Sequence, residues 1–152
     1  MDLILWRHAE AEDGVPDGDR ALTPKGERQA RRMAKWLARR LPADAAVISS
    51  AARRARQTAR ALSGDFRTAA AIGIGADAKK ILDAAGWPGE GNDATVVIVG
   101  HQPALGEAAA LALTGKAAAW RLKKGAVIWL VSRKHGGKAE AAMHAAISPD
   151  LI

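Results

Sequence analysis

Four apolar residues, Leu3-Ile4-Leu5-Trp6, run without interruption and stop abruptly in Arg7-His8. A short run that is apolar at every position suits a strand buried on both faces, as in a parallel sheet. Residues 11–22 are polar and carry Gly14, Pro16 and Gly18, which predicts a loop. Thr23-Pro24 then supplies a helix cap and a first helical residue. Ala30, Met33, Ala34, Leu37 and Leu41 recur at helical spacing, predicting an amphipathic helix over 24–41 that Pro42 ends. Beyond it the pattern gives a strand at 45–49, with Ser50 as a candidate cap for a helix over 51–63 that Gly64 stops. A weak strand at 66–72 and a short helix over 77–86 opened by Asp77 complete this half.

Residues 86–93 read as a loop. Thr95-Val96-Val97-Ile98-Val99 is the clearest strand, β-branched throughout, and it ends in Gly100-His101-Gln102-Pro103. A helix over 103–114 and a strand at 126–131 follow. Gly136-Gly137 then marks a turn, and the tail 139–147 is expected to pair back antiparallel at an edge. Strands alternating with helices, without a repeat or a long linker, predict a single α/β domain spanning 1–152. The expected architecture is a three-layer α/β/α sandwich with a mostly parallel central sheet and an antiparallel edge strand.

The strand at 3–6 leads to His8 and the strand at 95–99 leads to His101. Right-handed crossovers keep the C-terminal ends of parallel strands on one sheet edge, where open α/β folds place their ligands. The strand at 45–49 feeds a helix whose first turn holds Arg53 and Arg54. The spacing therefore predicts two imidazoles and at least two guanidiniums, Arg7 among them, on one edge. Planar guanidinium forks fit phosphate oxygens, and a helix N-terminus adds backbone donors. A neutral imidazole can attack phosphorus and carry the phosphoryl group covalently. No carboxylate cluster with metal-ligand spacing accompanies these residues, so arginine and imidazole are expected to supply the charge, with no metal and no cofactor.

Bulk properties narrow the picture. The absence of cysteine excludes disulfides, thiolate metal sites and a cysteine nucleophile. A net charge of +7 admits phosphate, acidic protein surfaces or nucleic acid as partners. With no Tyr and one Phe, platforms for base stacking are scarce, so nucleic acid is not expected. Arg28, Arg31, Arg32, Lys35 and Arg39 read as a solvated helix face, and Lys123-Lys124 as solvated charge or, alternatively, as part of a basic rim. No apolar run approaches the roughly 18 residues of a membrane span, and no basic signal region precedes the first strand. A cytoplasmic monomer without a membrane partner is expected. His135 and His144 read as exposed bystanders, Trp6, Trp36 and Trp120 as packing residues, and Trp87 as a loop anchor.

Taken in order, Arg7-His8-Ala9-Glu10, Leu22-Thr23-Pro24-Lys25-Gly26, Ser49-Ser50 with Arg54-Ala55-Arg56-Gln57-Thr58, and Gly100-His101-Gln102-Pro103 resemble the histidine phosphatase superfamily. The short chain and its Arg-His-Ala-Glu sequence are similar to the SixA-type phosphohistidine phosphatases. The resemblance implies that His8 is the nucleophile and that Arg7, Arg54 and His101 bind the phosphoryl oxygens. Spacing to Gln57-Thr58 selects Arg54 over Arg53. Gln102 is a further candidate substrate ligand, and Arg20, in the loop before Leu22-Thr23, would touch substrate. Larger members carry an acidic proton donor after the second helix, but Phe66 to Ala76 holds no Asp or Glu. Glu10 and Asp77 are the candidate acids, although capping is the simplest role for Asp77.

An alkoxide leaving group gains typically ~100- to 10,000-fold from a positioned acid, whereas a phosphoimidazole departs as neutral imidazole once protonated by water. The missing acid therefore favours an N–P bond. The expected substrate is phosphohistidine on a protein, such as a phosphotransfer domain, with inorganic phosphate as product. Short connections suggest an open, shallow site without a lid. The alternatives are a phosphatase of small phosphate esters or anhydrides, and a non-catalytic phosphate- or phosphoprotein-binding module.

Overall fold

Strand β1 (Asp2–Arg7) runs through the middle of the sheet. The computed structural model describes residues 1–89 and 93–152. Part of the loop expected at 86–93, namely 90–92, lies outside the described residues. After β1 come α1 (Pro24–Ala38), β2 (Ala46–Ser49), α2 (Arg53–Leu62), β3 (Arg67–Thr68) and α3 (Ala78–Ala85). The chain continues with β4 (Thr95–Gly100), α4 (Ala104–Thr114), β5 (Val127–His135) and β6 (Lys138–Ile147). One six-stranded sheet forms in the order β3-β2-β4-β1-β5-β6. β1 to β4 are mutually parallel, and β5 and β6 add antiparallel pairings.

Alternation along β1 divides the core. Leu3 and Leu5 point to the face covered by α3 and α4, where they join Ile98, Ile81 and Leu105. Ile4 and Trp6 point to the opposite face, where Val97 and Val99 meet Met33 and Leu37 of α1 and Ala55 and Ala59 of α2. Both sides of β1 are fully buried, which is why its sequence is apolar at every position. The expected α/β/α layering is the observed one.

Three differences from the sequence pattern have local causes. The stretch 66–72 yields only a two-residue strand. Ala69 N closes on Ser49 O, and residues 70–72 then turn as a 3-10 helix that buries Ile72. Helix α1 stops at Ala38 because the amides of Arg40 and Leu41 both fold back on the Leu37 carbonyl, ahead of Pro42. The antiparallel pairing also begins one strand earlier than the tail, since β5 itself runs antiparallel to β1. The cause is the connection after α4. It returns to the C-terminal edge of β1, where Arg7 N donates to Ala126 O and Gly125 N donates to His8 O. This route brings residues 121–124 beside the edge on which His8 lies.

Helix α3 is opened by the Asp77 carboxylate, which accepts from Lys80 N at 2.8 Å, and closed by Gly86 in the left-handed conformation. Trp87 packs against the α3–α4 core, as a loop anchor would.

Candidate active site

The site is built at the C-terminal ends of three parallel strands. His8 N donates to Gly100 O at the end of β4, and Ser50 N donates to Val99 O, so His8, Ser50 and His101 sit side by side. The rings of His8 and His101 lie 5.2 Å apart between centroids. Arg54, on the first turn of α2, comes between them. Its Nε donates to His8 Nε2 at 3.2 Å, and its Nη2 lies 3.5 Å from His101 Nδ1. Arg54 is buried and Arg53 is exposed. Arg7 is held by a bond from Nη1 to Leu122 O at 2.6 Å, while its buried Nε has no partner among the described residues.

Hydrogen bonding defines the tautomer of His8. Its Nδ1 lies 2.7 Å from the Ala9 carbonyl oxygen, which can only accept, so Nδ1 carries the proton. The lone pair then lies on Nε2, facing Arg54. Burial, opposed in part by the bond to Ala9, pushes the His8 pKa down to about 3; His101, Arg54 and Arg7 push the same way. His8 is thus a neutral base in a cationic pocket, able to attack an electrophilic tetrahedral anion. His101 is pushed down to about 4 by burial first and then by Arg54 and Arg7, with Asp17 opposing. Its Nε2 meets Ser50 Oγ at 2.7 Å. Arg54 is donor-only, so a lone pair on Nδ1 and a proton donated from Nε2 to Ser50 satisfy both contacts. Arg7 keeps its charge, though burial and the nearby Arg121 lower its pKa.

The residues between the charged groups fix the frame. Ala9 N donates to Thr58 Oγ1 at 3.1 Å, which locks the chain immediately after His8 onto α2. Gln57 Oε1 accepts from Leu22 N at 2.8 Å, and Gln29 Oε1 accepts from Glu10 N at 3.0 Å. Thr23 caps α1 through Gly26 N, and a Cβ at Gly26 would collide with the Glu10 carbonyl. The Thr-Pro-Lys-Gly turn is therefore the shape that lets α1 reach the backbone next to His8.

Other candidates are placed differently from one another. Arg20 donates to Glu12 O at 2.7 Å and to Asp17 Oδ1 at 2.9 Å, so it supports the 11–22 loop. Gln102 is engaged at both ends of its amide, by Trp120 O at 2.9 Å and Gly106 N at 2.9 Å. Glu10 accepts from Thr23 Oγ1 and faces Lys25 and Lys124, and these hold its carboxyl below the usual range. Asp77 is held low by the Lys80 amide within its own helix. Carboxyls stabilised as anions are ionised at neutral pH and have no proton to donate.

Asp17 and Ser50 are the participants that patterning does not single out for the pocket. Asp17 lies in a 3-10 turn over residues 17–19. Its Oδ2 accepts from Arg54 Nη2 at 3.0 Å and its backbone O accepts from Arg54 Nη1 at 2.7 Å. The 11–22 segment therefore straps over the pocket, in place of the lidless site expected from short connections. The signal available was Asp17 three residues before Arg20, a spacing that pairs them across a turn.

Residues 3–73 match the histidine phosphatase superfamily (branch 1). A 100-residue stretch is 38% identical to an uncharacterised protein of Mycobacterium tuberculosis and covers 64% of this chain and 63% of that one, so the match spans under two thirds of that relative. Among solved structures, a putative phosphohistidine phosphatase SixA from Nakamurella multipartitia is 29% identical, with 97% of this chain and 95% of that chain covered and a TM-score of 0.76. A protein histidine phosphatase SixA complexed with tungstate is 20% identical, with 99% of each chain covered and a TM-score of 0.79. The chain belongs to the histidine phosphatase superfamily, and its fold is similar to that of the SixA structures.

Proposed function

We propose that the protein is a phosphatase that works without a metal through a covalent phosphohistidine on His8, and that its substrate is phosphohistidine on another protein. The observation that carries this reading is the bond from His8 Nδ1 to Ala9 O at 2.7 Å, which leaves Nε2 as a lone pair inside a ring of cations. Nε2 attacks phosphorus in line. The N–P bond of the substrate breaks, and the departing imidazole takes its proton from water. Arg7, Arg54 and His101 hold the three equatorial oxygens, where charge accumulates. The orphan Nε–H of Arg7 gains its acceptor in that complex. The arriving negative charge also raises the pKa of His101 and lets Nδ1 take up a proton and donate. Water then attacks phosphorus on His8, inorganic phosphate leaves, and Nε2 regains its lone pair.

Substrate choice rests on the acid inventory. Glu10 and Asp77 are both held as carboxylates, so protonation of an alkoxide has no evident donor among them. An imidazole leaving group does not need one. The relatives named as phosphohistidine phosphatases support the same class.

The test is a substrate panel with the wild-type protein and His8→Ala. A phosphohistidine-bearing protein is expected to be hydrolysed at least about 100-fold faster than glycerol phosphate or a sugar phosphate, whose alkoxide leaving groups need the acid that is missing. Comparable or faster ester turnover overturns the substrate assignment, and turnover by His8→Ala overturns the mechanism.

A further inference from the structure

Beside the pocket, and sharing Arg7 with it, lies a groove of about 830 Å³. Helix α1 contributes Lys25, Arg28 and Arg32 to its wall, and the connection before β5 contributes Arg121, Lys123 and Lys124. Only Glu10 and Asp150 oppose them among the described lining residues. Glu10 is shared at long range between Lys25 at 3.6 Å and Lys124 at 3.9 Å, and Asp150 pairs with Lys123 at 3.2 Å. Arg28 and Arg121 have no carboxylate within 4.0 Å among the described residues. Patterning places Arg28 and Arg32 on a solvated helix face and reads Lys123-Lys124 separately, as solvated charge or part of a basic rim. The antiparallel entry of β5 folds them against each other, and the combined surface leads directly to Arg7.

We infer that this groove docks an acidic segment of the phosphorylated protein, next to the side chain that carries the phosphoryl group. The inference rests on the reading that His8 takes its phosphoryl group from a protein. The cations are exposed, stand on flexible stems and come from two elements, rather than converging on one buried point. A compact polyphosphate calls for convergent, preorganised guanidiniums, whereas a row of carboxylates is met by spread charge that steers encounter and sets specificity. No aromatic side chain lines the groove, so nucleic-acid bases would find nothing to stack on. The surplus of cations fits an acidic protein face.

The experiment compares two short peptides carrying phosphohistidine, one flanked by Asp and Glu and one by Ser and Gly, with wild-type protein and with Arg28→Glu/Arg121→Glu. Wild type is expected to favour the acidic peptide by about tenfold or more in kcat/KM at low salt, and to lose much of that preference at high salt. The double variant, checked by circular dichroism and thermal unfolding, is expected to lose the preference. Equal rates on both peptides in wild type, or a preference that survives in the variant, overturns the inference. If neither peptide is hydrolysed, the functional reading fails, and the groove is tested by fluorescence anisotropy of the unphosphorylated peptides. Salt-sensitive binding of the acidic peptide that the variant loses supports the groove. No such binding, or tighter binding of a single-stranded RNA oligomer, overturns it.

Discussion

The carboxylate of Asp17 closes on Nη2 of Arg54 at 3.0 Å, so the guanidinium that faces His8 already holds an anion from its own chain. Arg54 is almost fully buried and Asp17 is half exposed. A phosphoryl group entering the pocket must share Arg54 with that carboxylate or displace it. Replacing Asp17 by Asn removes the competing charge but keeps the shape. The pair is half exposed and screened by solvent, so the effect is modest: inorganic phosphate is expected to inhibit Asp17→Asn at a severalfold lower concentration than wild type. Weaker phosphate inhibition would mean that Asp17 instead holds Arg54 in its binding position.

Ser50 sets His101 through the 2.7 Å contact at Nε2 and also accepts from Ala52 N at 3.2 Å. In Ser50→Ala the imidazole loses its orienting partner. The expected outcome is roughly tenfold lower kcat with a smaller change in KM, together with about 1–3 kcal/mol lost in chemical denaturation because a buried amide is orphaned. An unchanged kcat would show that packing alone orients His101.

The two pocket histidines give a pH signature whose sign is fixed. Both have folded-state pKa values below the usual 6.5, about 3 for His8 and about 4 for His101. Their contribution to stability is present above 6.5 and is lost as pH falls from there toward the folded values, because the unfolded chain takes up protons that the fold excludes. Unfolding free energy of wild type is expected to fall by several kcal/mol more than that of a His8→Ala/His101→Gln variant between neutral pH and pH 4. By NMR, the two rings are expected to show no titration between pH 5 and 8. A midpoint near 6.5 for either ring would contradict the buried, neutral assignment.

Gly26 separates two opposing effects in one substitution. Alanine is the better helix former by about 1 kcal/mol, but a methyl here meets the Glu10 carbonyl rather than open space. Steric displacement in a packed site costs typically 1–3 kcal/mol or more, so Gly26→Ala is expected to lower stability and to reduce activity by shifting the backbone beside His8. A more stable, fully active variant would show that α1 can move away without disturbing the site.

The strand ends were the legible part of the sequence. His8 and His101 each follow an unbroken apolar run, and the parallel topology puts such ends on one edge. The first turn of α2 offered Arg53 and Arg54 alike, and only the family resemblance, through the spacing to Gln57-Thr58, pointed to Arg54. Asp17 was not, because loop residues 11–22 carry no periodicity to reveal where they fold, and its partner is 37 positions away. The groove was hidden for a related reason. Helical spacing put Arg28 and Arg32 on a polar face of α1, but the direction in which the chain re-enters the sheet at β5 decides what that face meets. That direction depends on how residues 115–126 cross the sheet edge, and hydrophobic alternation within a strand does not encode it. The weak strand at 66–72 fell short because Ala69 to Ala71 offer little side chain to hold a pleated pairing.

The most direct measurement is to quench the protein during turnover of a phosphohistidine-bearing protein labelled in its phosphoryl group, and to map the label. One acid-labile, base-stable label is expected, attached to Nε2 of His8 and absent from His8→Ala. Undiminished hydrolysis by His8→Ala, or a label resident on any other side chain, would contradict that assignment.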